Sequence, residues 1–173
     1  MRTIDRETST LLMVDFQARL MPTIDDGLAT VANARRLLAA AAMVGVPVVF
    51  TEHNPKGLGA TVPELDAAAH GRVLHKLTFA ADVAPLLDRP DVVVAGCEAH
   101  VCVLQTVLGL LDAGRRVFLV QDAIGARRPE SKAVALRRME QHGAEIVTTE
   151  MAVFEWLRTT EHPRFRDALA LVK

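Results

Sequence analysis

Read for its apolar and polar positions, the chain alternates short, continuously apolar runs with longer stretches of helical spacing. Residues 11–14 are apolar throughout and end at Asp15. Residues 28–44 are rich in Ala and Leu, with Arg35 and Arg36 on one side, and predict a helix. Gly45 fits its C′ position, and 47–50 follow as a strand. A shorter strand is expected at 72–75 and the strongest of all at 91–95. A helix over 99–113 ends at Gly114, and a strand over 117–120 ends at Gln121 and Asp122. A helix over 130–142 ends at Gly143 and is followed by a strand at 145–148. Two short helices, 150–157 and 163–172, close the chain. Three times a helix stops at a glycine and a β-branched run begins soon after, which is the signature of βαβ units and a parallel sheet. Continuous apolar strands are buried on both faces, so helices are expected on either side of about six strands.

Length and composition narrow this further. At roughly 100–200 residues per domain, a 173-residue chain without repeat, charge block or linker predicts a single domain over 1–173. Lys plus Arg is 20 and Asp plus Glu is 21, a net charge of −1. That balance offers no electrostatic reason to expect nucleic acid or an anionic membrane as partner. Aromatic residues are 4 % and Tyr is absent, which argues against a base-stacking surface and for an aliphatic core. The longest apolar run, 37–50, is broken by Gly45 and Pro47 and is too short to span a membrane. The first residues carry charges where a signal peptide has its apolar segment, so a soluble, cytoplasmic protein is expected. Two cysteines, Cys97 and Cys102, make no disulfide framework.

In doubly wound sheets, ligands sit beyond the carboxyl ends of the strands. That singles out Asp15, Glu52, His53, Lys76, residues 96–102 and Asp122. Cys102 follows a strand and a tight turn and lies at a helix start, where the dipole and free N–H groups favour thiolate and could hold an oxyanion. A merely packed cysteine would look the same locally. Asp15 ends the first strand, where a charged residue commonly does no more than start a loop; strand one neighbours the fourth in the usual order, so the geometry also permits a base within reach of the thiol. Lys76 lies in an apolar setting, in a chain with 16 Arg but only four Lys. An ammonium there would tune both groups, and a solvated or snorkelling loop lysine fits the same sequence equally well. His53 has no second histidine at i+2 or i+4, so metal binding is not expected. Gly57-Leu58-Gly59 lacks the third glycine of a dinucleotide fingerprint. Arg127, Arg128, Asp25 and Asp26 read as solvated loop charges, and Cys97 as a packed residue at the strand end.

Asp15, Lys76 and Cys102, in this order at the ends of strands one, three and four, resemble the isochorismatase-like cysteine hydrolases. The matching stretches are Leu12-Met13-Val14-Asp15-Phe16-Gln17, His75-Lys76-Leu77-Thr78-Phe79 and Gly96-Cys97-Glu98-Ala99-His100-Val101-Cys102-Val103. Leu110-Leu111-Asp112-Ala113-Gly114 and Val120-Gln121-Asp122-Ala123 extend the likeness over nearly the whole chain. Residues 55–65 and 162–165 look like the isochorismatase-domain-containing proteins of unassigned substrate. The resemblance implies a three-layer α/β/α, Rossmann-like fold with a six-stranded, mostly parallel sheet. It also implies a Cys-Asp-Lys triad, a cis peptide at Cys97–Glu98, and an oxyanion hole from the N–H groups of Glu98 and Cys102. Phe16, Gln17, His53, Thr78, Phe79 and His100 flank the triad positions and are expected to line the substrate pocket. Family members are commonly oligomeric, so a homo-oligomer is expected.

The nicotinamidase branch of that family holds a metal through an Asp-x-His run and a further His. Here the stretch reads Thr51-Glu52-His53-Asn54-Pro55, without the aspartate or the paired histidine. The expectation is therefore a cysteine hydrolase without metal or other cofactor, acting on a small amide-type or related molecule through a thioester. Two alternatives stay open: a metal-dependent nicotinamidase-type amidase, sensitive to chelation, and a non-catalytic assembly or binding protein with an unreactive Cys102.

Overall fold

The computed structural model describes residues 3–173. Its strands are β1 (Ser9–Val14), β2 (Val48–His53), β3 (Arg72–Lys76), β4 (Asp91–Gly96), β5 (Arg116–Ile124) and β6 (Glu145–Val147). Its helices are α1 (Gly27–Val44), α2 (Pro55–Leu58), α3 (Ala67–His70), α4 (Leu104–Asp112), α5 (Pro129–Gln141), α6 (Thr149–Leu157) and α7 (Phe165–Val172). The strands form one sheet in the order β3-β2-β1-β4-β5-β6, and all five pairings are parallel. The six-stranded α/β sheet expected from the apolar rhythm is therefore present. Its order reverses between β1 and β4, where the chain ends of two neighbouring strands diverge and leave a crevice.

The pleat divides the core into two layers. On one face, Leu11, Met13, Phe50 and Phe118 pack against α1 and α6 through Leu37, Ala41, Val153 and Trp156. On the other, Leu12, Val14, Val94 and Leu119 pack against α4 and α5 through Val107, Leu110, Ala135 and Met139. Successive strand residues point to opposite faces. Two-sided burial is why β1 and β4 are buried at every position, including Ser9, Thr10 and Asp91.

The elements differ from the sequence expectation in three instructive places. The helix expected over 99–113 opens with a π-helical turn, Ala99–Val103, before regular α4 begins. There the Val103 N–H reaches back five residues to the Glu98 carbonyl, at 3.2 Å, while the Ala99 N–H donates to Gly125 at 2.8 Å. Strand β5 runs through Gln121 and Asp122 rather than ending there, because a register shift beside Val94 and Gly96 lets Ile124 pair with Gly96. Residues 55–70 hold two single-turn helices whose short proline-, glycine- and alanine-rich sequences carry no helical period. Among the described residues, no helix is long and apolar enough to cross a membrane.

Candidate active site

The carboxyl ends of β1, β2, β3 and β4 bring Asp15, Thr51, Lys76 and the turn after Gly96 together. Asp15 follows β1 in a left-handed conformation (φ 51°) that short polar residues tolerate better than branched ones. Its backbone N–H donates to the Thr51 carbonyl at 3.1 Å, and its side chain is fully buried. Each carboxylate oxygen has its own partner: Thr51 Oγ1 donates to Oδ1 at 2.6 Å and Lys76 Nζ to Oδ2 at 2.6 Å. Lys76 also donates to the Phe79 carbonyl at 3.0 Å and, more weakly, to that of Thr78 at 3.4 Å. A buried ion pair with every donor direction occupied is held in one geometry, which suits a site better than a loop charge.

Cys102 enters from the π-helical turn and is 7 % exposed. Its thiol faces the Asp15 carboxylate and the Lys76 ammonium, and both act on its titration. Burial, and then the Asp15 carboxylate, push it up to about 12, while Lys76 pulls the other way. The resting group is therefore a neutral thiol beside a carboxylate able to accept its proton, not a free-standing thiolate.

The turn that delivers Cys102 depends on Gly96, which ends β4 at φ 143°. A Cβ there would stand 2.2 Å from the Val14 carbonyl oxygen, so only glycine lets β4 close this tightly on β1. The Cys97 N–H then donates to Val14 at 2.9 Å, and the Gly125 N–H to Gly96 at 3.0 Å. The bond from Cys97 to Glu98 is cis. Glu98 is paired with Arg127 Nε at 2.8 Å, which corrects the reading of Arg127 as a solvated loop charge. Cys97 is fully buried on the α1 face, and burial pushes its thiol up to about 12.

The residues expected to line the pocket divide into two groups. Thr78 and Phe79 supply the carbonyls that hold Lys76, and the Phe79 ring is half exposed. The His53 ring lies 5.4 Å from that of Phe79, and its Nδ1 is buried with no hydrogen-bond partner among the described residues. His100 Nδ1 is likewise buried and unpartnered. Phe16 and Gln17, by contrast, are both buried. Phe16 is 1 % exposed and belongs to the core under α1. Gln17 is fully buried, with its amide engaged by the backbone of His53 and Gly59, so it ties the end of β2 to the loop that follows. The left-handed backbone at Asp15 breaks the strand's alternation, so the side chains after it do not continue the pattern of β1.

Two other carboxylates singled out in the sequence, Glu52 and Asp122, are engaged by other partners. Glu52 accepts from the Thr61 N–H and hydroxyl at 2.7 and 2.9 Å and pairs with His75 at 3.2 Å, on the face opposite His53. Asp122 accepts from the Thr149 N–H and hydroxyl and anchors the start of α6. Among the described residues no group of three or more His, Cys, Asp or Glu stands where it could hold a metal ion. Thr51 escaped the sequence reading. Its signal was a lone hydroxyl in an apolar strand, two residues from the strand end and on the same face as His53.

This fold, with a buried thiol, carboxylate and ammonium gathered where the strand order reverses, defines the class of α/β/α cysteine hydrolases. The chain belongs to the isochorismatase family: residues 9–151 match the isochorismatase domain. It is 36 % identical to isochorismatase domain-containing protein 2B of Mus musculus, over 96 % of this chain and 82 % of that protein. It superposes on the structure named MAR1 ribonuclease of Caenorhabditis elegans with a TM-score of 0.93 and 34 % identity, covering 98 % of this chain and 92 % of that one. The YcaC gene product of Escherichia coli, described as an octameric hydrolase of unknown specificity, shares the fold at a TM-score of 0.87 and 24 % identity, over 99 % and 88 % of the two chains.

Proposed function

We propose that this protein is a metal-independent cysteine hydrolase of small amide-type substrates, with Cys102 as nucleophile, Asp15 as proton carrier and Lys76 as their electrostatic partner. The observation that carries this reading is the Asp15 carboxylate. One oxygen is anchored by Thr51 and the other by Lys76, and the carboxylate faces the Cys102 thiol and raises its pKa. In acylation, the thiol proton passes to Asp15 as sulfur bonds the carbonyl carbon. Asp15 then returns the proton to the departing nitrogen, the C–N bond breaks and a thioester remains. In deacylation, Asp15 takes a proton from water as its oxygen bonds the same carbon. The C–S bond then breaks and the proton returns to sulfur, regenerating the thiol and releasing an acid. The N–H groups of Glu98 and Cys102 are the proposed oxyanion donors.

Three further assignments accompany this reading. The protein works without a metal, because Glu52 beside His53 is engaged by Thr61 and His75 on the other face. It assembles into a homo-oligomer, in keeping with the octameric Escherichia coli protein of the same fold. It works in the cytoplasm, with both cysteines free. The name ribonuclease on the Caenorhabditis elegans structure does not carry over as a substrate, since 20 basic against 21 acidic residues give no phosphate-attracting excess.

The test is a panel of small amides, carbamates and a short RNA, read by intact mass for an acyl adduct and by product release. An adduct on Cys102 and turnover unaffected by chelators are expected. Tightly held stoichiometric zinc whose removal abolishes turnover would favour the nicotinamidase-type alternative, and an unreactive Cys102 the non-catalytic one.

A further inference from the structure

Beyond the carboxyl end of β5, between the first turns of α1 and α5, lies a cavity of about 410 Å³ whose charged lining residues are Asp25, Asp26, Asp122 and Lys132. None of the side chains gathered at Cys102 lines it. The other polar groups of its wall are already engaged. Asp122 Oδ1 accepts from the Thr149 N–H and hydroxyl, and Asn33 donates to the Asp122 carbonyl at 2.8 Å while accepting from Arg36. The Lys132 ammonium differs. It is half-buried, yet it makes no hydrogen bond and no ion pair among the described residues, and none of the three carboxylates reaches pairing distance. Lys76, the other lysine held inside the fold, has a carboxylate and two carbonyls around it.

Two features of this setting favour the neutral amine. The side chain loses part of its hydration without gaining a counter-ion in contact. It also stands in the first turns of α5, which begins at Pro129, and the positive end of a helix opposes a cation there. Burial accordingly holds Lys132 below the usual lysine range, although Asp122, Cys97, Asp26 and Asp25 each pull it back up. A neutral primary amine facing a cavity is a nucleophile towards carbonyl carbon. The carboxylates decide which carbonyl compounds it meets, since three negative groups repel an anionic electrophile and stabilise a cationic product. We infer that Lys132 is a Schiff-base site for small neutral aldehydes. Nζ bonds the aldehyde carbon, a proton moves from nitrogen to oxygen, and the carbinolamine loses that oxygen as water. The C=N bond left behind takes a proton from solvent and becomes an iminium cation facing Asp25, Asp26 and Asp122.

The experiment treats the whole protein near neutral pH with limiting propanal and, separately, with the anionic aldehyde glyoxylate. Cyanoborohydride is added to each to reduce the imine to a stable amine, and peptide mapping quantifies the adduct at each lysine. Propanal is expected to label Lys132 at least about 10-fold faster than the exposed Lys56 and Lys173. Glyoxylate is expected to lose that preference, and the double substitution Asp25→Asn with Asp26→Asn to restore part of it. Lys132→Arg, which keeps the charge, removes the cavity adduct and leaves labelling of Lys56 and Lys173 unchanged. Propanal labelling of Lys132 no faster than that of Lys56 and Lys173 overturns the inference, and an equal preference with glyoxylate overturns its restriction to neutral aldehydes. Neither readout involves turnover, so the outcome is independent of the role of Cys102.

Discussion

Cys97 and Cys102 leave one turn towards opposite faces of the sheet. Both are buried, and both thiols are pushed up to about 12, chiefly by burial. Their surroundings differ in kind. Cys102 faces a carboxylate and an ammonium, the first anchored by Thr51 and the second by Asp15 and the Phe79 carbonyl. Cys97 sits under Gly125 among α1-side core residues, where the Gly125 backbone and Lys132 pull its thiol down and Glu98 and Asp15 add to the push of burial. Burial alone therefore makes an inert thiol. What sets Cys102 apart from Cys97 is the pairing of a carboxylate and an ammonium beside its thiol.

Deleting each thiol in turn separates the two most sharply. Cys102→Ala is expected to lower turnover at least about 10³-fold with the fold intact, because the thioester route is gone. Cys97→Ala is expected to keep turnover within about twofold. Peptide mapping after iodoacetamide treatment provides a parallel check, and alkylation of Cys97 ahead of Cys102 would reverse the assignment.

A smaller effect distinguishes the two neighbours of Cys102. The carboxylate raises the thiol pKa and the ammonium lowers it. Asp15→Asn should therefore shift the pH profile of Cys102 alkylation to lower pH, yet slow turnover by about 10²–10⁴-fold through loss of the proton carrier. Lys76→Met should shift the alkylation profile upward and slow turnover as well. It also leaves Asp15 buried without its cation, a change that costs about 3–5 kcal/mol in comparable pairs, so thermal unfolding is measured beside the rates. Parent-rate turnover by Asp15→Asn would reduce Asp15 to a loop-starting residue.

The smallest effect concerns stability at high pH. The Cys97 thiol stays protonated in the fold to about 12, against an ordinary value of 9.0. Between these values the unfolded chain releases a proton that the folded chain keeps, so stability is full below 9.0 and falls as pH rises towards 12. The contribution is about 1.4 kcal/mol per pH unit for one such thiol. Urea unfolding at pH 8, 9.5 and 10.5 should show a shallower decline in Cys97→Ala than in the parent, and equal slopes would mean that the buried thiol is better solvated than its 0 % exposure implies.

Much of this architecture could be read from the chain itself. Continuous apolar runs with helices between them can only be buried on both sides, so the parallel sheet and its two helical layers follow from the pattern. The same pattern puts Asp15, Lys76 and Cys102 at strand ends, and nearby sequence suffices for that. What the pattern could not carry was the direction of side chains where a strand gives way to a turn. Phe16 and Gln17 follow Asp15 directly but turn into the core and towards the His53 backbone.

The layers of the fold and the arrival of three chemical residues at one edge of the sheet were thus set in one dimension, because periodicity and burial are local properties repeated along the chain. How those residues meet was settled only in three dimensions. The Thr51 hydrogen bond, the buried and unpaired His53 Nδ1, the pairing of Arg127 with Glu98 and the π-helical turn all join segments distant in sequence or depend on a neighbouring strand. Such contacts are fixed by register and by the close approach of Gly96 to Val14, and no linear pattern of residues encodes a distance between strands.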